Sequence, residues 1–290
     1  MCQLKSCLVL KDRVYCPDYD SHEDMLDKLG IKDDYLGASK TFVRVELTPP
    51  DGMRSLMEPL DRWTLSVDQD ITPEWWDVEA DRQRVEEAVE AWRGEHVFAE
   101  GEHSISAGIV YALSSATVKA FDSATVTAYG SATVIAYDSA TVKAFGSATV
   151  KAFDSATVKA RDGATVKAFD SATVTAYGSA TVIACDSATV KAFGSATVEA
   201  SGSATVEARD SATVEARGSA TVEARDSATV KARGEAKIEA YNNARVEACN
   251  CATVKAFGSA TVEAWDNATV VYPCKNKIVY PAGWTAETHD

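Results

Sequence analysis

The stretch FDSATVTAYGSATVIAYDSATVKAF, Phe121 to Phe145, states one pattern three times. The pattern is Gly or Asp, then Ser-Ala-Thr-Val, a variable residue, Ala and a bulky residue. Valine recurs at 118, 126, 134, 142, 150 and onward to 230. Ile238 and Val246 continue the series and Val270 closes it, which makes 20 octads. A fixed internal period is read before anything else, because it dictates the architecture.

Within each octad, Ala, Val and Ala alternate with Thr, a charged residue and a bulky one. Period-two alternation belongs to a strand with one buried face. Lys143 and Glu199 resist burial, so their parity points outward and Ala140, Val142 and Ala144 point inward. The Gly/Asp-Ser pair supplies a turn, since Gly tolerates positive φ and Asp or Ser can bond the local backbone. One strand and one turn reverse the chain without returning it to its start. Two octads therefore make one 16-residue coil of a flat, two-sheeted solenoid. The chemistry agrees: Asp122, Gly130, Asp138, Gly146 and Asp154 alternate, and Phe121 to Val150 recurs almost intact at Phe169 to Val198, 48 residues on.

Ten coils stacked about 4.8 Å apart predict a rod roughly 50 Å long, with a thin core of Ala and Val. Its two end coils are open sheet edges that need covering. SAGIVYAL (Ser106 to Leu113) keeps the period but puts Ile109 where threonine stands, which predicts a first coil buried under another domain. VVYPCKNKIVYPAGW breaks the repeat with Pro273 and Pro281 and predicts a C-terminal cap over 272–290.

Residues 1–100 are of another kind. CLVLKDRVYC reads as a hairpin, FVRVELTP and WTLSVD as strands, and SHEDMLDKLG as a helix capped near Ser21 and ended by Gly30. Thr72-Pro73 looks like a second helix start, and Ala80 to Arg93 puts Val85, Ala88, Val89 and Trp92 on one face. The expected fold is a small α+β domain (1–100), then an octapeptide-repeat β-solenoid of about ten coils (101–271), then the cap.

Composition sets bounds. Hydrophobic content of 46% and charged content of 25% suit a globular chain. No apolar run approaches the roughly 18 residues of a membrane span. The opening MCQLKSCLVLKDRVYC, with Lys5, Lys11 and Asp12 among its apolar residues, does not suit a signal peptide. Seven cysteines without framework spacing predict free thiols in a reducing cytoplasm. Met1 to Ser114 carries 24 acidic and 12 basic side chains, against 17 and 15 from Ser115 to Val271. That acidic first part argues against direct nucleic-acid binding, which needs Lys and Arg in excess.

The outward positions carry the candidate binding residues. Phe121, Tyr137, Phe153 and Phe169 fall sixteen apart on one side, and Tyr129, Phe145, Tyr177 and Phe193 on the other. In the second half the outward pair becomes Glu with Arg, as at Glu215 and Arg217. Stacked aromatics and ion pairs stabilise neighbouring strands, and a contiguous exposed apolar strip also marks a contact surface. A protein partner is expected there, with self-association through the aromatic faces as a variant.

AYGSATVIAYDSATV resembles the octapeptide and sixteen-residue repeats of bacterial ice-nucleation proteins, and more loosely insect and bacterial ice-binding solenoids, over Ser115 to Val271. The resemblance implies a solenoid. Those families present outward Thr-x-Thr pairs, which survive here only as Thr125 with Thr127 and Thr173 with Thr175; elsewhere Lys or Glu follows, as at Lys143 and Glu215. The arrangement is also similar to phage and gut-bacterial proteins in which a small domain precedes a degenerate repeat, a likeness that implies no activity.

Chemistry, if present, belongs to the first domain. With Met1 removed, Cys2 would be an N-terminal thiol beside its own amine, the arrangement of N-terminal nucleophile hydrolases. WTLSVDQDITPEWWD is the densest polar and aromatic cluster, with Asp68, Asp70 and Asp77 among Trp63, Trp75 and Trp76. Such carboxylates can act as an acid–base pair or bind a cation, or merely precede a helix whose dipole they offset. The gaps between Cys2, Cys7, Cys16 and His22 fit no zinc knuckle, and no phosphate-cradling loop, Ser-His-Asp order or HExxH element occurs, so neither metal nor cofactor is expected. The leading expectation is a non-enzymatic scaffold; an enzyme using Cys2 or Asp68 and Asp70, and an ice-binding protein, stay open as alternatives.

Overall fold

The computed structural model describes residues 5–32 and 41–272. The chain divides between Ala99 and Glu100 into two compact units.

The first unit is built on a four-stranded antiparallel sheet. β1 (Lys5–Leu10), β2 (Val14–Tyr15), β3 (Phe42–Thr48) and β4 (Thr64–Val67) lie in the order β2-β1-β3-β4. β1 is flanked on both edges and buried along its whole length. Helix α1 (His22–Leu29) has the caps its sequence announces. The Ser21 hydroxyl accepts from Asp24 N at 3.2 Å, and Gly30 ends the helix at φ 67°. Met25 and Leu26 then pack on Leu8, Leu10 and Phe42. Helix α2 (Val78–His96) buries Val85, Val89 and Trp92. It does not begin at Thr72-Pro73, which instead opens a turn closed by Trp76 N on Pro73 O at 3.0 Å. Asp77 is the cap, its carboxylate accepting from Glu79 N and Ala80 N, so that carboxylate serves the helix end. Lys5 brings a charge into the core: it is fully buried, bonded to Asp20 at 2.6 Å, with its ammonium 4.8 Å from the centre of the Trp92 ring.

The second unit is a β-solenoid of two parallel sheets. One runs from Glu102–Ile105 to Thr261–Ala264, the other from Ile109–Ala112 to Thr269–Val271, with odd and even strands alternating between them. From Ile109 on, successive strands of a sheet pair at an offset of sixteen residues, Val134 with Val150 and Val142 with Val158, while Glu102–Ile105 pairs with Thr117–Ala120 at fifteen. Val142 and Val150 thus lie in opposite sheets, and both are fully buried among the alanines. There are about 11 coils, one more than the octads suggest. The extra coil comes from Glu102–Ile105 and Ile109–Ala112, which pair in register (His103 with Val118, Val110 with Val126) without the Ser-Ala-Thr-Val signature. Ile109 is 37% exposed and stands in the threonine column, whose parity faces outward.

Each corner is a four-residue turn, closed at Phe121 O by Ala124 N at 3.0 Å. Its first central residue has positive φ, 50° at Asp122 and 66° at Gly130. Gly, Asp and Asn are the residues that adopt this region at least cost, which explains why nothing larger alternates there. The predicted cap over 272–290 lies, after Tyr272, outside the described residues.

Candidate functional site

Two places gather side chains that the fold itself does not require. The first is the outer surface of the solenoid. A fully buried core of Ala and Val needs no bulky residue at the corner, yet rings fill it in ordered columns. Phe121, Tyr137, Phe153 and Phe169 stack in series with centroids 5.0–5.2 Å apart and planes within 12°. The coil spacing sets that distance, and it lies in the range where offset rings attract. The side chains are half-buried, presenting an edge outward.

The other column is Tyr129 with Phe145, then Tyr177 with Phe193. Arg161 fills the gap, its guanidinium 6.0 Å from the Phe145 ring and 5.4 Å from the Tyr177 ring. Arg209 stands 6.0 Å from the Phe193 ring, and Arg225 stands 5.1 Å from the ring of Tyr241, which stacks on Phe257. Guanidinium planes therefore extend the stack by cation–π contact. The arginines were readable as partners of Glu; their place in the aromatic column shows only once residues are sorted by sixteen.

Five carboxylates line a corner of the same surface. Asp138, Asp154, Asp170 and Asp186 each accept, at 3.4–3.5 Å, from the backbone N–H of the Asp one coil earlier, beginning at Asp122. These side chains serve the stacking of turns as well as facing solvent.

The second place is in the first unit, where α1 crosses the sheet. Asp68 N donates to Arg44 O at 2.9 Å, and Gln69 accepts from Arg44 N at 2.8 Å. This pins the end of β4 and turns the Asp68 carboxylate to 3.3 Å from His22 Nδ1. Glu46 of β3 joins them, with donor atoms of all three within 4.8 Å. His22 is 6% exposed, and its Nε2 lies 3.3 Å from the Val45 carbonyl. A carbonyl only accepts, so Nε2 carries hydrogen and Nδ1 faces the carboxylates. There its lone pair is available to a shared cation. The 3.3 Å separation equals the edge of a tetrahedron with bonds of about 2.0–2.1 Å, the length zinc takes with nitrogen and oxygen. Among the described residues, His22, Glu46 and Asp68 are the group placed closely enough to hold a metal.

The sequence-predicted residues scatter. Trp63 is 2% exposed and belongs to the core, its Nε1 donating to Glu58 O at 3.2 Å. Trp75 and Trp76 are half-buried and Asp70 is exposed. Cys2 lies outside the described residues. Cys7 meets Cys16, sulfur to sulfur at 2.7 Å, rather than His22, and burial followed by the Cys16 contact pushes the Cys7 thiol well above its usual range. Such a thiol is a poor nucleophile. The meeting of His22, Glu46 and Asp68 had no signal in the sequence, since three separate elements supply it. No helix among the described residues is long and apolar enough to cross a membrane.

No family model, curated protein or solved structure matches the chain.

Proposed function

We propose that the chain is a non-enzymatic repeat scaffold, in which the solenoid displays the acidic first unit and binds macromolecular partners, proteins above all, along its outward columns. The observation that carries this reading is the series Phe121, Tyr137, Phe153 and Phe169: half-exposed rings held in line by a core that is complete without them. A contiguous apolar strip of this kind marks a contact surface, and rigid aromatics lose little entropy on binding. A reducing, cytoplasmic setting goes with it, since Cys185, Cys249 and Cys251 are free thiols on the outer surface. Nucleic acid and membrane are not the partners this surface suits. The test is co-purification with the full chain as bait, wild type against Phe153→Ser/Phe169→Ser. Partners held by wild type and lost by the variant support the reading; an identical set from both, or none from wild type, overturns it.

A second reading, an enzyme with its chemistry in the first unit, draws on the contact between His22 and Asp68, a pair able to move a proton. It requires a turnover that Asp68→Asn abolishes. Ice binding draws on Thr125 with Thr127 and Thr173 with Thr175. Lys143 stands in register beside Thr127 and Lys159 beside Thr175, so charge interrupts both patches.

A further inference from the structure

The sheet that runs from Glu102–Ile105 to Thr261–Ala264 changes sign along its length. At the outward position after each core valine, Lys119, Lys151 and Lys167 stand on early strands, and Glu199, Glu215, Glu247 and Glu263 on late ones, which Lys231 interrupts. Ile183 sits between the two blocks, with Lys167 on one side and Glu199 on the other. Lys151 and Lys167 are direct neighbours, as are Glu199 and Glu215. Like charges opposite one another oppose strand pairing. Lys151, Lys167 and Glu199 are exposed, and among the described residues none has an ion-pair partner. Lys119, Glu215 and Glu247 of the same column have partners within the chain, in Glu102, Arg217 and Lys231, as Glu207, Glu223 and Glu239 of the opposite sheet have in Arg209, Arg225 and Lys255.

We propose that this face is where two copies of the chain meet, antiparallel, each laying its Lys coils on the Glu coils of the other. A two-fold axis along the strand Thr181–Ala184, in the plane between the copies, reverses the order of coils and keeps the position along each strand. It sets Ile183 against Ile183 of the second copy. Lys167 then meets Glu199 of the second copy, Lys151 meets Glu215 and Lys119 meets Glu247, each contact made twice. Away from the axis, Ile135 with Lys231 and Ser104 with Glu263 are the pairs that are not ionic, and no like charges meet in this column. At the corner, the same operation places Phe153 opposite Arg217 and Tyr137 opposite Arg233. That is the ring–guanidinium pairing the chain already uses between Tyr177 and Arg161. The charges of one face are thus the complement of the same face reversed, as an isologous contact requires.

Ten spacings of about 4.8 Å between coils and strands about 13–15 Å across give roughly 600–700 Å² a copy, near the lower bound for a specific interface. The dimer is therefore concentration-dependent, and salt weakens it. This inference rests on the scaffold reading in taking the solenoid as the binding element, and it names the partner as a second copy.

Sedimentation equilibrium of the full chain at low salt is the test. The expected result is a dimer that dissociates on dilution and on adding salt. Lys167→Glu and Glu199→Lys should each weaken it tenfold or more, and the double variant Lys167→Glu/Glu199→Lys should restore it. Within one copy the two residues sit two coils apart, about 10 Å, so rescue reports a contact between copies. Circular dichroism controls for folding, and Ile183→Lys, which sets like charges on the axis, serves as a second disruption. A monomer at every concentration, a dimer indifferent to these changes, or a double variant no better than its parents overturns the proposal. A monomeric wild type that still co-purifies partners through Phe153 and Phe169 would sink this inference alone and leave the scaffold reading standing.

Discussion

The two units hold themselves together by opposite means. In the first, a few large residues used once each fill the core: Trp63, Phe42, Leu8, Met25 and the buried Lys5 are its largest enclosed side chains. In the solenoid, small residues used many times do the same, Val and Ala being buried coil after coil. Burying a large apolar side chain contributes about 1.5–3 kcal/mol, and a missing one leaves a cavity its neighbours cannot fill. A solenoid coil contributes less by itself, and what it loses is shared with coils that pair on either side. Stability in the first unit is therefore concentrated, and in the second it is distributed.

The comparison can be broken most directly at Trp63. Trp63→Ala should cost about 3–5 kcal/mol, a large share of what a small domain has. Amide hydrogen exchange on the full chain should show β1 and β3 losing protection while solenoid amides such as Thr149 N, bonded to Ala132 O at 2.9 Å, keep theirs. Equal loss in both would mean that the units unfold as one.

What the sequence disclosed follows the same division. Val118 to Val270 disclosed period, parity and facing sheets, because a repeat states each inference twenty times and a wrong parity would bury Lys143 twice over with Lys159. Ser21 and Gly30 disclosed α1, because capping is local chemistry. The misses are long-range. Trp63 in a polar neighbourhood reads as a binding residue, and its burial depends on elements far along the chain. Thr72-Pro73 reads as a helix start, and Asp77 takes the role because its carboxylate reaches two free N–H groups. The coil at Glu102–Ile105 lacks the signature altogether and is held by backbone pairing to Thr117–Ala120, which any side chains of suitable parity permit. His22, Glu46 and Asp68 meet only because the sheet registers Val45 against Val67 and α1 lies across it.

Glycine sharpens the contrast at a smaller scale. Gly30 and Gly202 both have φ 67°. Around Gly30 an added Cβ meets nothing within 4 Å, so Gly30→Ala carries only the backbone penalty, about 1 kcal/mol. At Gly202 the same atom would sit 3.0 Å from Asp186 N and 3.1 Å from Asp186 O in the coil before. Backbone held by pairing on both sides cannot step aside, so Gly202→Ala should cost about 2 kcal/mol, seen as a larger fall in denaturation midpoint than Gly30→Ala produces. Equal falls would mean that stacked coils yield as readily as a free helix end.

The smallest effect separates the units by pH. In the solenoid, the hydrogen bond from Arg217, ahead of its opposed desolvation, holds the Glu215 carboxyl below its usual 4.5. A carboxyl depressed by folding stabilises the fold above its unfolded value, and that contribution fades as pH falls through the folded one. In the first unit, the hydrogen bond between Tyr19 and Tyr15 pushes the Tyr19 phenol from 10.0 up to about 12. A phenol raised by folding stabilises below its unfolded value and loses that contribution between 10.0 and about 12. Glu215→Gln should therefore lower solenoid stability slightly at neutral pH, by less than either glycine change, and match wild type once the pH drops well below 4.5. Tyr19→Phe should do the reverse, differing from wild type near neutral pH and converging with it above about 12. Exchange protection followed unit by unit across pH reads both, and a Glu215→Gln deficit that persists in acid would show that the Arg217 contact acts through packing rather than charge.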